Sequence, residues 1–223
     1  MGRYYQHLGK ELPSVTTIIS DCTDKPALVQ WAANCAVDYL VGQDAGSPIL
    51  EDTIQEAKYA YKKISKTALR NGSIVHKFIE NYLLHRVTPK RFPNDEVYNS
   101  WCAFLSFEYD TNDIVSVHTE HNVFGSCWAG TLDWLVRIKD KLYVVDFKTS
   151  KAINPEMRYQ TAAYRSLTEA KGNAVLRLDK LTGEYEFKDF SKTYNNDLRA
   201  FNAMVNLYFT RHPRIAKKAG VPF

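Results

Sequence analysis

The chain has 223 residues, 45% of them hydrophobic and 24% charged, with a formal net charge of +4. These are ordinary globular values, enough for one domain of generous size, and they exclude a chain that is disordered overall. The mild positive excess permits a nucleic-acid partner without demanding one. Cys22, Cys35, Cys102 and Cys127 contain no C-x-x-C pair, which argues against a zinc ribbon or an iron–sulfur cluster and for buried free thiols. The first residues lack an apolar core of signal-peptide length, and no run approaches the roughly 18 apolar residues of a membrane span. A reducing, cytoplasmic setting is the expectation.

Taken in order, the chain begins with an extended segment through Leu12-Pro13-Ser14-Val15-Thr16-Thr17-Ile18-Ile19. Thr23-Asp24-Lys25-Pro26 then reads as a helix start, with Leu28, Trp31, Cys35 and Tyr39 repeating at helical spacing up to Gly42. A second helix is predicted over 51–66, a third from Asn71-Gly72 through Leu83, and a fourth over 94–109. From Ile114 the apolar period changes from helical to alternating. The sequence predicts strands at 114–123, 127–138 and 141–147, a helix from Asn154-Pro155 to about Lys171, a hairpin of 174–179 with 184–190, and a last helix over 195–211. The expected division is a helical N-terminal region, 1–112, packed on an α/β core, 113–223, in one compact domain. A mixed sheet flanked by helices is the fold class that this order implies.

The chemistry concentrates where two predicted strands end. Gly130-Thr131-Leu132-Asp133 closes one, and Tyr143-Val144-Val145-Asp146-Phe147-Lys148-Thr149 closes the next. Val144, Val145 and Phe147 suit a buried strand, whereas Asp146 and Lys148 do not. Ionised groups among apolar ones are costly unless paired or bound to a metal. With a turn centred on residue 140, Asp133 would lie opposite Phe147 and beside both Asp146 and Lys148. Two hard carboxylates and a backbone carbonyl, that of Phe147, would suit Mg²⁺, and Lys148 would position and help deprotonate the attacking water or offset phosphate charge. The bland alternative is an exposed hairpin with cross-strand Asp–Lys pairs worth under about 1 kcal/mol each.

Further along, Gln160 and Tyr164 stand four apart on one helix face, with Arg158 and Arg165 flanking it. Upstream, Arg70-Asn71-Gly72-Ser73-Ile74-Val75-His76 precedes a histidine on an amphipathic helix. Together, G-x-x-D, D-x-K, Q-x-x-x-Y and the upstream histidine, in that structural context, resemble the RecB-like branch of the PD-(D/E)XK nucleases over about residues 70–170. Leu132 stands where the family name has a proline.

The resemblance implies a restriction-endonuclease-like core with a catalytic set of Asp133, Asp146, Lys148, Gln160 and Tyr164. It implies metal ligation by His76, Asp133, Asp146 and the Phe147 carbonyl, with Glu120 as a further candidate. Mg²⁺ would be the ion, Mn²⁺ its substitute. Arg158, Arg165, Gln160 and Tyr164 would meet the nucleic-acid backbone. Alternation along the predicted strand sets His118 and Glu120 on one face and His121 on the other. Lys62, Lys63, Lys66, Arg70, Lys90, Arg91, Arg211, Arg214, Lys217 and Lys218, with Tyr59, Tyr61, Trp101 and Trp128, would line a groove for bases and phosphates. The expected activity is a metal-dependent DNA exonuclease on ends or single strands, in repair, recombination or replication of a bacterial or phage-infected cell. A structure-selective endonuclease and an inactive binding module of the same fold remain open, and polarity is not encoded in these motifs.

Overall fold

A computed structural model describes residues 2–43 and 50–222, and the chain forms two units, Met1–Thr23 with Ile74–Phe223, and Asp24–Ser73. The change of period at 112 falls between a helix ending at Asp110 and a strand starting at Ile114, and the two units divide at residues 24 and 73.

In the larger unit, Leu8 and Gly9 both take positive φ, 48° and 74°, and so close a tight hairpin between β1 (Tyr4–His7) and β2 (Lys10–Pro13). The expected extended run then ends early. Ser14 caps a helix, α1 (Val15–Cys22), its side chain accepting from the Thr17 N–H at 3.0 Å. Val15, Ile18 and Ile19 are buried at helical spacing. A cap and a three-residue apolar stripe outweigh the weak strand preference of a β-branched run.

The sheet runs in the order β3 (Ile114–Phe124), β4 (Ala129–Ile138), β5 (Lys141–Lys148), β6 (Gly172–Leu178), β7 (Tyr185–Asp189). Only β5 and β6 pair in parallel, joined through α5 (Pro155–Ser166); the other neighbours are antiparallel. This is a mixed sheet, and apolar clusters cover both of its faces. On one side, Val75 and Ile79 of α3 (Glu51–His85) and Trp101, Phe104 and Phe107 of α4 (Asp95–Asp110) pack on Trp134, Val145, Phe147 and Leu176. On the other, α1, α5, α6 (Tyr194–Arg211) and α7 (Pro213–Ala219) cover Leu132, Leu135 and Val144. Trp101 and Trp128 are core side chains, 4% and 7% exposed, and so cannot line a groove for bases.

The smaller unit contains α2 (Pro26–Val41), with proline in its first turn, and the part of α3 up to Ser73. Trp31 meets Tyr61 edge to face there, and the Tyr39 hydroxyl donates to Glu56. The two helices predicted over 51–66 and from 71 are one. Gly72 costs a helix only about 1 kcal/mol relative to alanine, too little to end one. Among the described residues no helix is long and apolar enough to cross a membrane; all four cysteines are free thiols, but Cys35 alone is buried and the other three are partly exposed.

Trp134 is fully buried, packs against Phe104, Phe107 and Phe147, and donates its Nε1–H to Ser116 Oγ at 3.0 Å. Trp134→Ala is expected to lower unfolding free energy by about 3–5 kcal/mol in urea titrations. A midpoint unchanged from the parent's would contradict this account of the core.

Candidate metal centre

Strands β4 and β5 carry the polar groups of the site into the middle of the sheet. Their register pairs Ile138 with Lys141 and Trp134 with Val145, so the turn is centred between Lys139 and Asp140 rather than on residue 140. Continued, that register sets Asp133 opposite Asp146, not Phe147. The ladder stops one step short, and Asp133 Oδ2 instead accepts the Phe147 N–H at 2.8 Å.

Strand β3 is also irregular at this level. Thr119 pairs with Trp134 and His121 with Leu132, while Glu120 and Asp133, which should face each other between them, drop out of the ladder. Glu120 has φ +46°, a left-handed conformation that costs a residue bearing a Cβ about 1–2 kcal/mol. Strict alternation is lost with it: His118 and His121, expected on opposite faces, stack with ring centroids 4.6 Å apart. This distortion brings Glu120 Oε1 to 3.9 Å from His76 Nδ1, and Asp133 Oδ1 lies 3.5 Å from the same nitrogen. His76, Glu120 and Asp133 each offer one ligand atom within 4.8 Å of the others. His76 comes from α3, where its ring meets Phe147 edge-on.

Asp146 lies outside this three-residue group, 1% exposed, and is held by different partners. Gln160 Nε2 donates to its Oδ1 at 2.8 Å, and the Lys148 ammonium forms an ion pair with Oδ2. That second oxygen has no aligned hydrogen bond. Tyr164 is 3% exposed and packs on Gly130, where an added Cβ would come within 2.3 Å of its ring. The Gly of G-x-x-D and the Tyr of Q-x-x-x-Y therefore fit into one another. Tyr164 supports the site as a core side chain, and burial first, then Asp146 and Asp133, push its phenol well above the usual range.

Burial works against every charge in this cluster, and the partners decide the outcome. Desolvation pulls the His76 imidazolium down, but Asp133 and Glu120 overcome this and raise it to about 10. Desolvation would raise Asp133, yet His76, Lys148 and the Phe147 N–H hold it below its ordinary value. For Asp146 burial wins over Lys148, and with Asp133 adding repulsion its carboxyl rises to about 6. Lys148 loses to burial but gains more from Asp146 and Asp133, so it stays an ammonium.

The basic residues assigned to phosphates are occupied within the protein. Arg158 pairs with buried Asp197 at 3.1 Å. Arg165 donates to the Ala170 carbonyl and to Asn173 Oδ1, and its guanidinium stacks on Tyr194 at 3.9 Å. They tie α5 to β6 and α6. Sequence reading also missed the N-terminal hairpin beside β4, where Tyr5 Oη and an Arg3 nitrogen meet Thr131 Oγ1 at 2.9 and 3.2 Å. Alternation of Tyr5 with His7 around Leu8-Gly9 was the available signal.

His76, Glu120 and Asp133, two carboxylates and an imidazole, form a group that could hold a metal ion. No family model and no curated protein matches the chain.

Two predictions follow from these contacts. Gly130→Ala forces a methyl group against Tyr164 and should cost about 1–3 kcal/mol, read by thermal unfolding; a neutral effect would disprove the interlock. In metal-free protein, carboxyl-carbon NMR should find Asp146 titrating near pH 6 and Asp133 below the ordinary carboxylate range. Because the folded-state pKa of Asp146 is raised, its contribution to stability is present at low pH and is lost as pH rises through about 6. Two carboxyls titrating together near pH 4 would contradict this asymmetry.

Proposed function

We propose that the chain is a divalent-metal-dependent nuclease of the PD-(D/E)XK class with a restriction-endonuclease-like core. It would hydrolyse phosphodiester bonds of DNA, as an exonuclease on ends or single strands. What supports this most is the juxtaposition of two acids, a lysine and a histidine from separated segments around the ends of β4 and β5. A glutamine fixes one of the acids. A surface hairpin with screened ion pairs would not bury Asp146 to 1% exposure or hold its carboxyl near 6.

His76, Glu120 and Asp133 would hold the cation, with Asp146 and the Phe147 carbonyl completing the set. When bound, the cation supplies Lewis-acid charge to the phosphate and acidifies a water. The residues of the chain do the rest. The Phe147 N–H orients Asp133, and Gln160 orients Asp146, leaving its second oxygen toward Lys148. Lys148, kept charged by both acids, is a donor that stabilises negative charge on the attacked phosphate; an ammonium is not the base. Asp146, fixed by Gln160 through one oxygen, would offer the other to the cation.

In the metal-free protein the His76 imidazolium stands beside the carboxylates where a cation would sit. Cation binding must therefore displace a proton from it. Calorimetry with Mn²⁺ in buffers of different ionisation enthalpy should register close to one proton released per cation at pH 7, and affinity that tightens as pH rises. Binding without proton release would remove His76 from the ligand set.

Labelled linear single-stranded, linear duplex and closed circular DNA, with Mg²⁺ or EDTA, test the activity itself. Linear DNA should be degraded only with metal. Lys148→Ala should lose about 10²–10⁴-fold in rate and Gln160→Ala about 10–100-fold. Cleavage of circles would make the enzyme an endonuclease, and activity surviving EDTA or Asp146→Ala would sink the site.

A further inference from the structure

Several basic side chains of the larger unit are neutralised internally by acids of the same unit. Arg86 pairs with Glu108, Arg177 with Asp179 and Glu186, Lys180 with Glu96, Arg211 with Asp21 and Lys218 with Glu11. The smaller unit differs. From Lys58 to Arg70 the chain holds five cations, Lys58, Lys62, Lys63, Lys66 and Arg70, and no acid. All five are exposed on one continuous helix, and none is in an ion pair among the described residues. Their charge exceeds the net +4 of the whole chain.

Their spacing matters more than their number. At about 100° per residue, the five side chains fall within an arc of about 140°, along about 18 Å of helix axis. Tyr61, whose ring meets Trp31 of α2, lies outside that arc. Like charges at i, i+4 oppose helix formation by about 0.2–0.5 kcal/mol per pair. The Lys58–Lys62–Lys66–Arg70 series therefore carries a standing cost that a polyanion would remove. Within the same arc Tyr59 is 54% exposed, with the Lys62 ammonium 4.4 Å from its ring centroid. One face of that ring is covered by a cation, and the tyrosine is otherwise open, as a stacking platform for an unpaired base is.

We propose that this face of α3 binds the phosphodiester backbone of a single strand, with phosphates along Lys58, Lys62, Lys63, Lys66 and Arg70 and a base on Tyr59. The proposal deepens the nuclease reading and rests on it for the class of ligand, but it concerns binding alone. Recognition here is by charge and stacking, so it reads no sequence and weakens with salt. An exposed stripe of this kind also differs from the arginines of α5, where Arg158 pairs with Asp197 and Arg165 is engaged by Ala170, Asn173 and Tyr194.

The test is binding of fluorescent oligo-dT to the full chain in EDTA, where cleavage does not interfere, from 50 to 300 mM salt. Each single-strand phosphate contact contributes about 0.7 to the slope of log affinity against log salt. Lys62→Gln/Lys66→Gln/Arg70→Gln should therefore flatten the parent slope by about 2, and Lys62→Arg/Lys66→Arg should keep it. Tyr59→Ala should weaken oligo-dT binding about 5- to 100-fold, the range for one stacked base. If the triple variant unfolds by circular dichroism, Lys66→Gln alone should flatten the slope by about 0.7. Oligo-rU binding within tenfold of oligo-dT is expected. A larger preference would mean sugar or base readout and overturn a backbone-led surface. Parent and neutralised variants with equal slopes, or duplex bound as tightly as single strand, would also overturn it. Because the binding assay lacks metal, a parent that binds through the stripe here yet leaves DNA intact when given Mg²⁺ would refute the nuclease reading and leave this proposal standing.

Discussion

Four ionisable groups, three on the sheet and one on α3, set the terms for the rest of this structure. Asp133, Asp146, Lys148 and His76 are each opposed by desolvation, and their mutual arrangement offsets it, fully for Asp133, Lys148 and His76 and in part for Asp146. Removing one partner of such a cluster leaves another buried without compensation, a penalty of several kcal/mol. The surrounding fold is organised to hold that arrangement. Gln160 reaches from α5 to Asp146, the Phe147 N–H fixes Asp133, and α3 brings His76 beside both Asp133 and Phe147.

Several local departures from regular structure are explained by that requirement. A regular β3 would keep Glu120 in the ladder opposite Asp133; instead Glu120 takes a left-handed backbone, and its carboxylate reaches His76. The β4–β5 ladder ends at Trp134 and Val145, which frees Asp133 to accept from Phe147. Gly130 has no side chain because Tyr164 occupies the place of one. Strain held beside a cluster of convergent polar groups is the pattern of a functional site, since a merely structural sheet would gain by relaxing it.

Much of this was legible in the sequence. The change from helical to alternating period located β3, β4 and β5, and polar residues inside an apolar run marked Asp146 and Lys148. What was not legible has physical causes. The one-residue difference in hairpin register depends on turn geometry that Lys139-Asp140 does not announce, with Lys139 at φ +53°. The left-handed Glu120 carries no glycine or asparagine to signal it, so alternation misassigned the histidines around it. Val15–Ile19 looked extended because β-branched residues cluster there, whereas Ser14 was the cap that decided the matter. Trp101 and Trp128 read as groove residues only because composition cannot separate a buried aromatic from an exposed one.

The same limit explains why charge was a poor guide until geometry was known. Arg158 and Arg165 sit beside the Gln160–Tyr164 face in sequence, yet their guanidinium groups hold Asp197, Asn173 and Tyr194. Lys62, Lys63, Lys66 and Arg70 were four among ten cations expected to line a groove, and the fold sets them with Lys58 on one arc of a helix, without acids among them. A cation already paired at about 3 Å has little field left for a ligand, and one repelled by its neighbours has more to gain from an anion. Which cations could meet an anion thus depends on which of them the fold leaves unneutralised, and the five on α3 are a group of that kind set along one helix.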